Sequence, residues 1–119
     1  MLLWNHELWL IDHGSSLYFH HNWTGWEQAA LSPFPYIKEH ALLKYATKLD
    51  EVDKLMHERI TPEFINNVVS LIPDEWLLQS SEVIPVEEQR RVYATFLKTR
   101  LENSRIFVNY ANDAREKLI

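Results

Sequence analysis

The hydrophobic pattern of the first 23 residues predicts a β-hairpin followed by a tight turn. Two apolar runs, residues 2–4 and 8–11, flank the short polar segment Asn5-His6-Glu7, which is typical of two antiparallel strands joined by a short loop. Four consecutive apolar residues in the second run favour a strand that is buried on both faces. Gly14 follows shortly afterwards, and glycine accepts a positive φ. We therefore expect the chain to turn away from the hairpin at residues 12–14.

After residue 23 the apolar positions recur every three or four residues, which predicts helices. A short helix is expected around Trp26, a longer one over about residues 36–47, and two more along the apolar stripes of residues 49–60 and 64–72. We expect the apolar side chains of residues 64–72 to form one buried face of their helix. Thr61-Pro62-Glu63 has the composition of a helix start, because it combines a capping Thr with a Pro and an acid in the first turn.

The last third of the chain predicts either one kinked helix or two helices. Pro73 precedes a short helical segment, and residues 79–82 are expected to form a loop. Pro85 then precedes a long apolar stripe with 3.6-residue spacing, interrupted only weakly at residues 102–104. The whole pattern predicts five to seven helices.

These elements predict a mainly α fold with an N-terminal β-hairpin (α+β). The 119 residues, 46% of them hydrophobic, are enough for one hydrophobic core. We therefore expect a single domain over residues 1–119. Residues 1–23 would hold the hairpin and its Asp-His-Gly turn, and residues 24–119 would form a helical bundle.

Composition excludes several classes of function. A formal net charge of −5 argues against generic binding to nucleic acid or to an anionic membrane. The chain has no cysteine, so disulfides and thiolate metal sites are excluded. No apolar run approaches the length that spans a bilayer, and the first residues lack the charged and apolar regions of a signal peptide. We expect a cytoplasmic protein.

Asp12 is the residue of this chain that most strongly indicates chemistry. It closes the second apolar run, and a carboxylate in such a position is costly unless a charge or a hydrogen bond meets it. If Gly14 turns the chain away, the carboxylate faces a cleft. Asp12-His13-Gly14 then has the layout of a metal-holding turn in phosphoryl-transfer enzymes. The alternative is that Asp12 caps a turn by accepting a hydrogen bond from the backbone two residues on.

The order of these segments resembles the HipA-like kinase family of bacteria. The matching residues are Leu2, Leu3 and Trp4, then residues 8–14, then residues 17–21. The family has a corresponding Leu-Leu-x-Trp segment, then Leu-Trp-Leu-Ile-Asp-His-Gly, then Leu-Tyr-Phe-His-His. The resemblance is specific over about the first 23 residues. It continues more loosely through Pro33-Phe34-Pro35, residues 72–77 and the C-terminal helical segment.

The resemblance implies a metal and a nucleotide. Asp12 would be a ligand of Mg²⁺, as the counterpart of the Asp in the Asp-Phe-Gly motif of protein kinases. His13 and Gly14 would form the rest of that turn beside the cofactor. Mg²⁺ and ATP are therefore the cofactors that the resemblance implies. The helical part of the chain would correspond to a kinase C-terminal lobe.

The resemblance also implies that this chain holds only part of a kinase. The family's catalytic Asp and its second metal-binding Asn lie upstream of the Leu-Leu-Trp segment, before Met1, so no catalytic residue is identified here. The nucleotide-covering loop and the phosphate-pairing Lys have no counterpart either. Phosphoryl transfer needs all of these groups together. We therefore expect the C-terminal lobe of an ATP-dependent Ser/Thr-type kinase, inactive alone, whose partner is an N-terminal kinase half or a separate protein chain.

A stand-alone helical protein-binding or scaffold domain without catalysis is the alternative. The five tryptophans are expected to be mostly core residues, but a missing kinase half would leave some exposed. That apolar surface would favour docking of another chain or a homodimer. A kinase lobe predicts an open hairpin face near Asp12. A binding domain predicts a polar surface over Trp4 and Trp9.

The six histidines do not predict a zinc site from neighbouring residues. His20 and His21 are adjacent, and adjacent side chains diverge in a strand or a helix. One of the pair could line the cleft near Asp12. The simpler interpretation is that one of them packs against Trp23 or Tyr18.

Overall fold

A computed structural model of the chain describes residues 2–11, 16–81 and 83–118. Within these residues the chain is mainly helical with an N-terminal two-stranded antiparallel hairpin, so the predicted fold class is confirmed. The strands are β1 (Leu2–Trp4) and β2 (Glu7–Trp9). The helices are α1 (Trp26–Ala30), α2 (Leu49–Arg59), α3 (Pro62–Ser70), α4 (Asp74–Ser80), α5 (Val86–Glu102) and α6 (Arg105–Glu116). Short 3-10 helices occupy Tyr18–His21, Pro35–Glu39 and Leu43–Tyr45.

Three helices begin where the sequence predicts. The Thr61 hydroxyl accepts a 3.1 Å hydrogen bond from the Phe64 amide, which satisfies one of the unpaired donors of the first turn of α3. Pro73 and Pro85 directly precede α4 and α5. Both have the extended backbone expected before a helix.

The helix predicted over residues 36–47 does not form. Two 3-10 helices, Pro35–Glu39 and Leu43–Tyr45, take its place. His40 between them is extended (φ −70°, ψ 126°), and its Nδ1 accepts a 3.2 Å hydrogen bond from the Leu42 amide. A side chain that bonds a nearby amide offers the backbone an alternative to helix. This local bond explains why helical spacing was misleading here.

The C-terminal stripe forms two helices rather than one kinked helix. α5 ends at Glu102, and the Asn103 side-chain amide donates a 2.8 Å hydrogen bond to the Thr99 carbonyl. The Asn103 backbone amide donates to the same carbonyl at 3.1 Å, so the side chain adds a second hydrogen bond at the helix end. Ser104 is buried at the corner before α6 begins.

Helix α5 lies at the centre of the molecule and packs against α1, α3 and α4. The main core cluster is built around aromatic side chains that pack against each other. The ring centroids of Phe19 and Phe96 are 4.8 Å apart, and those of Trp23 and Tyr93 are 5.3 Å apart. Its buried members are Phe19, Trp23, Ala30, Val92 and Phe96. The segment that follows the predicted Asp-His-Gly turn is therefore anchored in the core.

Gln89 fixes the connection between α4 and α5. Its side chain is completely buried. The amide oxygen accepts a 2.6 Å hydrogen bond from the Ser80 hydroxyl, and Nε2 donates to the Ile84 carbonyl at 2.8 Å. A buried amide is tolerated when its polar atoms find partners in this way.

Two expectations about burial are wrong. In α3 only Ile65 and Val69 are buried, while Phe64 and Val68 are about half exposed. The apolar stripe is wider than the surface that α5 covers. Of the tryptophans, Trp23 is in the core and Trp26 packs beside it, but the other three are exposed: Trp4, Trp9 and Trp76.

Among the described residues, no helix combines the length and the apolar character that crossing a membrane would require.

Candidate functional site

The hairpin that precedes Asp12 is closed by a two-residue turn. Asn5 and His6 both have positive φ values, 50° and 65°, the combination that joins two strands with the correct twist. The strands pair with Leu2 opposite Trp9, Leu3 opposite Leu8 and Trp4 opposite Glu7. The predicted hairpin is thus confirmed, with Glu7 in the second strand rather than in the loop.

Both faces of this hairpin carry apolar side chains and both are exposed, and the acid Glu7 lies opposite Trp4 on one of them. Because side chains alternate along a strand, one face holds Leu2, Trp4, Trp9 and Ile11, which line a shallow hollow of about 340 Å³. The other face holds Leu3 and Leu8. Each of these apolar side chains is at least 42% exposed. The expectation that residues 8–11 are buried on both faces is therefore wrong for the chain alone, because the described residues do not cover the hairpin.

The three residues that the sequence singled out lie outside the described residues. Asp12, His13 and Gly14, predicted to hold a metal and to contact a cofactor, fall between Ile11 and Ser16. What the structure describes is the exposed strand that leads to this segment and the anchored segment that follows it.

Two cavities adjoin the described residues that follow this segment. Ser16 and Leu17 line both of them. One cavity, of about 610 Å³, extends towards Phe34 and Arg100. The other, of about 350 Å³, is also lined by side chains from the 3-10 helix at residues 18–21, from α3, α4 and α5, and from the α3–α4 connection: His20, Val68, Val69, Ile72, Trp76, Tyr93 and Leu97.

His20 and His21 lie side by side, contrary to the expectation that they diverge. Their ring centroids are 4.2 Å apart, and His21 also contacts Tyr18 with centroids 6.3 Å apart. Both residues lie in a short 3-10 helix, which the sequence pattern does not predict. Burial, and then the nearby His21, lower the pKa of His20 below 6.5. His20 is therefore neutral at pH 7 and able to accept a hydrogen bond.

Tyr93 is the second titratable group of the smaller cavity. Burial raises the pKa of its phenol above 10, so the hydroxyl stays protonated at neutral pH. The cavity thus joins two neutral polar groups, from His20 and Tyr93, to the indole of Trp76 and to aliphatic walls. Such a surface suits an uncharged group that can stack and hydrogen-bond better than it suits a phosphate.

The described residues do not complete the Mg²⁺ site that the resemblance implies. In residues 2–11, 16–81 and 83–118 no three His, Asp or Glu side chains lie close enough together to hold a metal ion. Neither cavity beside Ser16 is lined by a carboxylate from this part of the chain. Since Mg²⁺ prefers oxygen ligands with several waters, Asp12 would need ligands from elsewhere.

No sequence pattern marks the side chains that distinguish these cavities. Tyr93 and Trp76 have the spacing of ordinary core residues, and Arg100 belongs to a charged helix. Arg100 Nη1 donates to the carbonyls of Ala29 and Ser32 at 3.2 and 2.9 Å. These contacts join residues about 70 positions apart in the chain, which local patterns do not reveal.

Comparison with known proteins returns no match: no protein-family model, no curated protein and no solved structure is significantly similar to this chain.

Proposed function

We propose that this chain is the C-terminal, helical part of a HipA-like ATP-dependent Ser/Thr-type kinase, and that it transfers phosphate only when joined to a nucleotide-binding half. The observation that carries the proposal is the hairpin Leu2–Trp9, which carries apolar side chains on both faces and is exposed on both. It lies directly before Asp12, the residue that the resemblance assigns to Mg²⁺.

Physical chemistry favours a covered hairpin. An isolated two-stranded hairpin is marginally stable in water. This one exposes apolar side chains in a contiguous patch, which is typical of a protein–protein interface. A second lobe packed on the hairpin would bury Trp4 and Trp9 and would bring its own catalytic groups to the segment that holds Asp12.

In the assembled enzyme Asp12 would ligate Mg²⁺, with His13 and Gly14 completing the turn beside the nucleotide. Bound Mg²⁺ neutralises charge that develops on the phosphates during transfer. The contribution of the helical part is positional. Phe19 and Trp23 anchor the chain after the turn in the core cluster, which would restrict where the Asp12 carboxylate can move.

A stand-alone protein-binding domain is the second candidate, and a separate surface favours it. α3 and α4 expose large apolar side chains of their own, with Trp76 68% exposed. The members of this α3–α4 patch are Phe64, Val68, Leu71, Trp76 and Leu78. Patches of this kind mark interaction sites, and a homodimer formed through either apolar surface belongs to the same candidate.

The experiment that separates the candidates is complementation. The full chain is co-expressed with the nucleotide-binding half of a HipA-like kinase, and phosphate transfer from labelled ATP is measured. Asp12→Asn should reduce transfer by about two orders of magnitude or more, because a metal ligand is lost.

Asp113→Asn is the matched control, because Asp113 is an exposed residue of α6 and its loss should leave transfer unchanged. Equal transfer by Asp12→Asn and wild type would contradict the proposal. So would a chain that does not associate with the nucleotide-binding half at all.

A further inference from the structure

Helix α2 is attached to the rest of the molecule by its polar edge rather than by its apolar face. Arg105 Nη1 donates a 2.5 Å hydrogen bond to Asp50 Oδ1, and Asn112 Nδ2 donates a 3.0 Å bond to Asp50 Oδ2. No residue of α2 is buried. The apolar stripe of this helix, which includes Val52 and Met56, lines an open cavity instead of core.

This cavity has the size and lining of a small-molecule site. Its volume is about 470 Å³, within the range of roughly 300–1,000 Å³ that is common for such sites. α2, α5, α6 and the 3-10 helix at residues 35–39 enclose it, and its walls are predominantly apolar. The main apolar contributors are Ile37, Val52, Met56, Leu101, Phe107 and Val108.

Arg100 lines one side of this cavity and also lines the cavity of about 610 Å³ beside Ser16. Its guanidinium carbon lies 4.6 Å from the centroid of the Phe107 ring, which is part of the wall. Nη1 is occupied by the carbonyls of Ala29, Ala30 and Ser32. Nε and Nη2 have no hydrogen-bond partner among the described residues. No carboxylate in the described part of the chain pairs with this guanidinium.

Nε and Nη2 of Arg100 form the edge of the guanidinium that can bind a carboxylate through two parallel hydrogen bonds. Arg91 shows this geometry within the same helix, because its Nε and Nη2 donate to the two carboxylate oxygens of Glu88. Such a side-on bidentate contact matches the planar fork of arginine. The acid in the cavity wall, Asp53, does not fill this position, since its Oδ2 lies 3.7 Å from Arg105 Nη1.

We propose that the cavity beneath α2 binds a small amphipathic carboxylate, with its chain among Val52, Met56 and Phe107 and its carboxylate on Nε and Nη2 of Arg100. An apolar cavity of this size leaves its walls without contacts that close packing would provide. A ligand that fills the cavity supplies those contacts and offsets the charge of a partly desolvated cation. The proposal does not depend on whether the chain belongs to a kinase.

Met56 provides a direct probe, because it lines the cavity and the only other methionine of the sequence is the first residue, Met1. The full chain with ¹³C-labelled methionine methyl groups is titrated with octanoate and, separately, with octan-1-ol. The Met56 resonance should shift saturably with octanoate, and the Met1 resonance should not. Octanoate should bind at least tenfold more tightly than octan-1-ol.

Three variants test the roles of charge and volume. Arg100→Gln should remove the preference for octanoate over octan-1-ol, while Arg91→Gln, which removes the same charge elsewhere on α5, should keep it. Val52→Trp should fill the cavity and weaken both ligands at least tenfold. If Arg100→Gln does not fold, the comparison of octanoate and octan-1-ol affinities in the wild-type chain tests whether the cavity recognises a carboxylate.

The proposal is overturned if the Met56 resonance does not shift saturably, or if Met1 and Met56 shift together as they would with a detergent. Equal affinities for octanoate and octan-1-ol would also overturn it, since the cavity would then recognise only apolar volume.

Discussion

Leu2 lies directly opposite Trp9 in the hairpin, on the same face as Trp4, and all three side chains are about half exposed or more. Cross-strand pairs of this kind normally contribute to a buried sheet surface. Here the pair faces outward next to the segment that carries Asp12. The hairpin thus has the composition of an interior strand pair and the exposure of an interface.

Replacing Trp9 should separate folding from assembly. Trp9→Lys places a charge on a surface that is already 52% exposed, so the free energy of unfolding of the helical part should change by no more than about 0.5 kcal/mol. Association with a nucleotide-binding half should be weakened by at least tenfold. Urea unfolding and sedimentation measure the two quantities.

Trp23→Ala serves as the comparison for Trp9→Lys. Trp23 is in the core cluster, and its truncation should lower the free energy of unfolding by about 3–5 kcal/mol. A large loss of stability in Trp9→Lys would mean that the hairpin is part of the core of this chain.

Gln89 should be the most sensitive polar position of the fold. Gln89→Ala removes the hydrogen bonds of a fully buried side chain to Ser80 and Ile84 and leaves the partly buried Ile84 carbonyl without this donor. We expect the free energy of unfolding to fall by about 2–3 kcal/mol. The exposed Gln79→Ala on α4 is the matched control and should stay within about 0.5 kcal/mol of wild type. Equal effects at both positions would show that the buried network does not hold the α4–α5 connection.

The N-terminal cap of α3 should contribute less to stability than the buried Gln89 side chain. Thr61→Ala removes the hydroxyl that accepts from the Phe64 amide, so stability should fall by about 1 kcal/mol. Thr61→Ser keeps the acceptor and should retain most of that stability. Thermal unfolding of the two variants makes the comparison. An identical loss in both would assign the effect to the Thr methyl group instead of to the hydrogen bond.

His20 should make stability depend on pH. Because burial, and then His21, lower its folded-state pKa below 6.5, the unfolded chain binds the proton more readily than the folded chain. The stability contribution of neutral His20 is therefore complete above pH 6.5 and is lost as the pH falls through the lower folded-state pKa. His20→Gln should reduce the loss of stability between pH 7.5 and pH 5. Urea midpoints at both pH values measure this difference, and an unchanged pH dependence would contradict it.

Local signals explain what could be predicted from the sequence. The turn at Asn5-His6, the cap at Thr61 and the starts after Pro73 and Pro85 each depend on a few neighbouring residues, and all four are present. The helix expected at residues 36–47 failed for an equally local reason, because the His40 side chain binds the Leu42 amide. Helical spacing alone does not report such competition.

Exposure and distant contacts could not be predicted in the same way. An apolar strand looks identical in sequence whether its own chain or another chain covers it, so the hairpin was expected to be buried. Arg100 reaches carbonyls about 70 residues away, and only the fold brings them together. The assignment of Asp12, His13 and Gly14 stays a prediction that their resemblance to a kinase turn supports.

The central claim is that a nucleotide-binding half covers the hairpin, and hydroxyl-radical footprinting of the tryptophans tests it most directly. The full chain is oxidised alone and after mixing with the nucleotide-binding half, and the modified residues are quantified by mass spectrometry. The account predicts that Trp4 and Trp9 become protected on mixing while Trp76 on the α3–α4 patch stays equally reactive. Unchanged reactivity of Trp4 and Trp9, or protection of Trp76 alone, would contradict it.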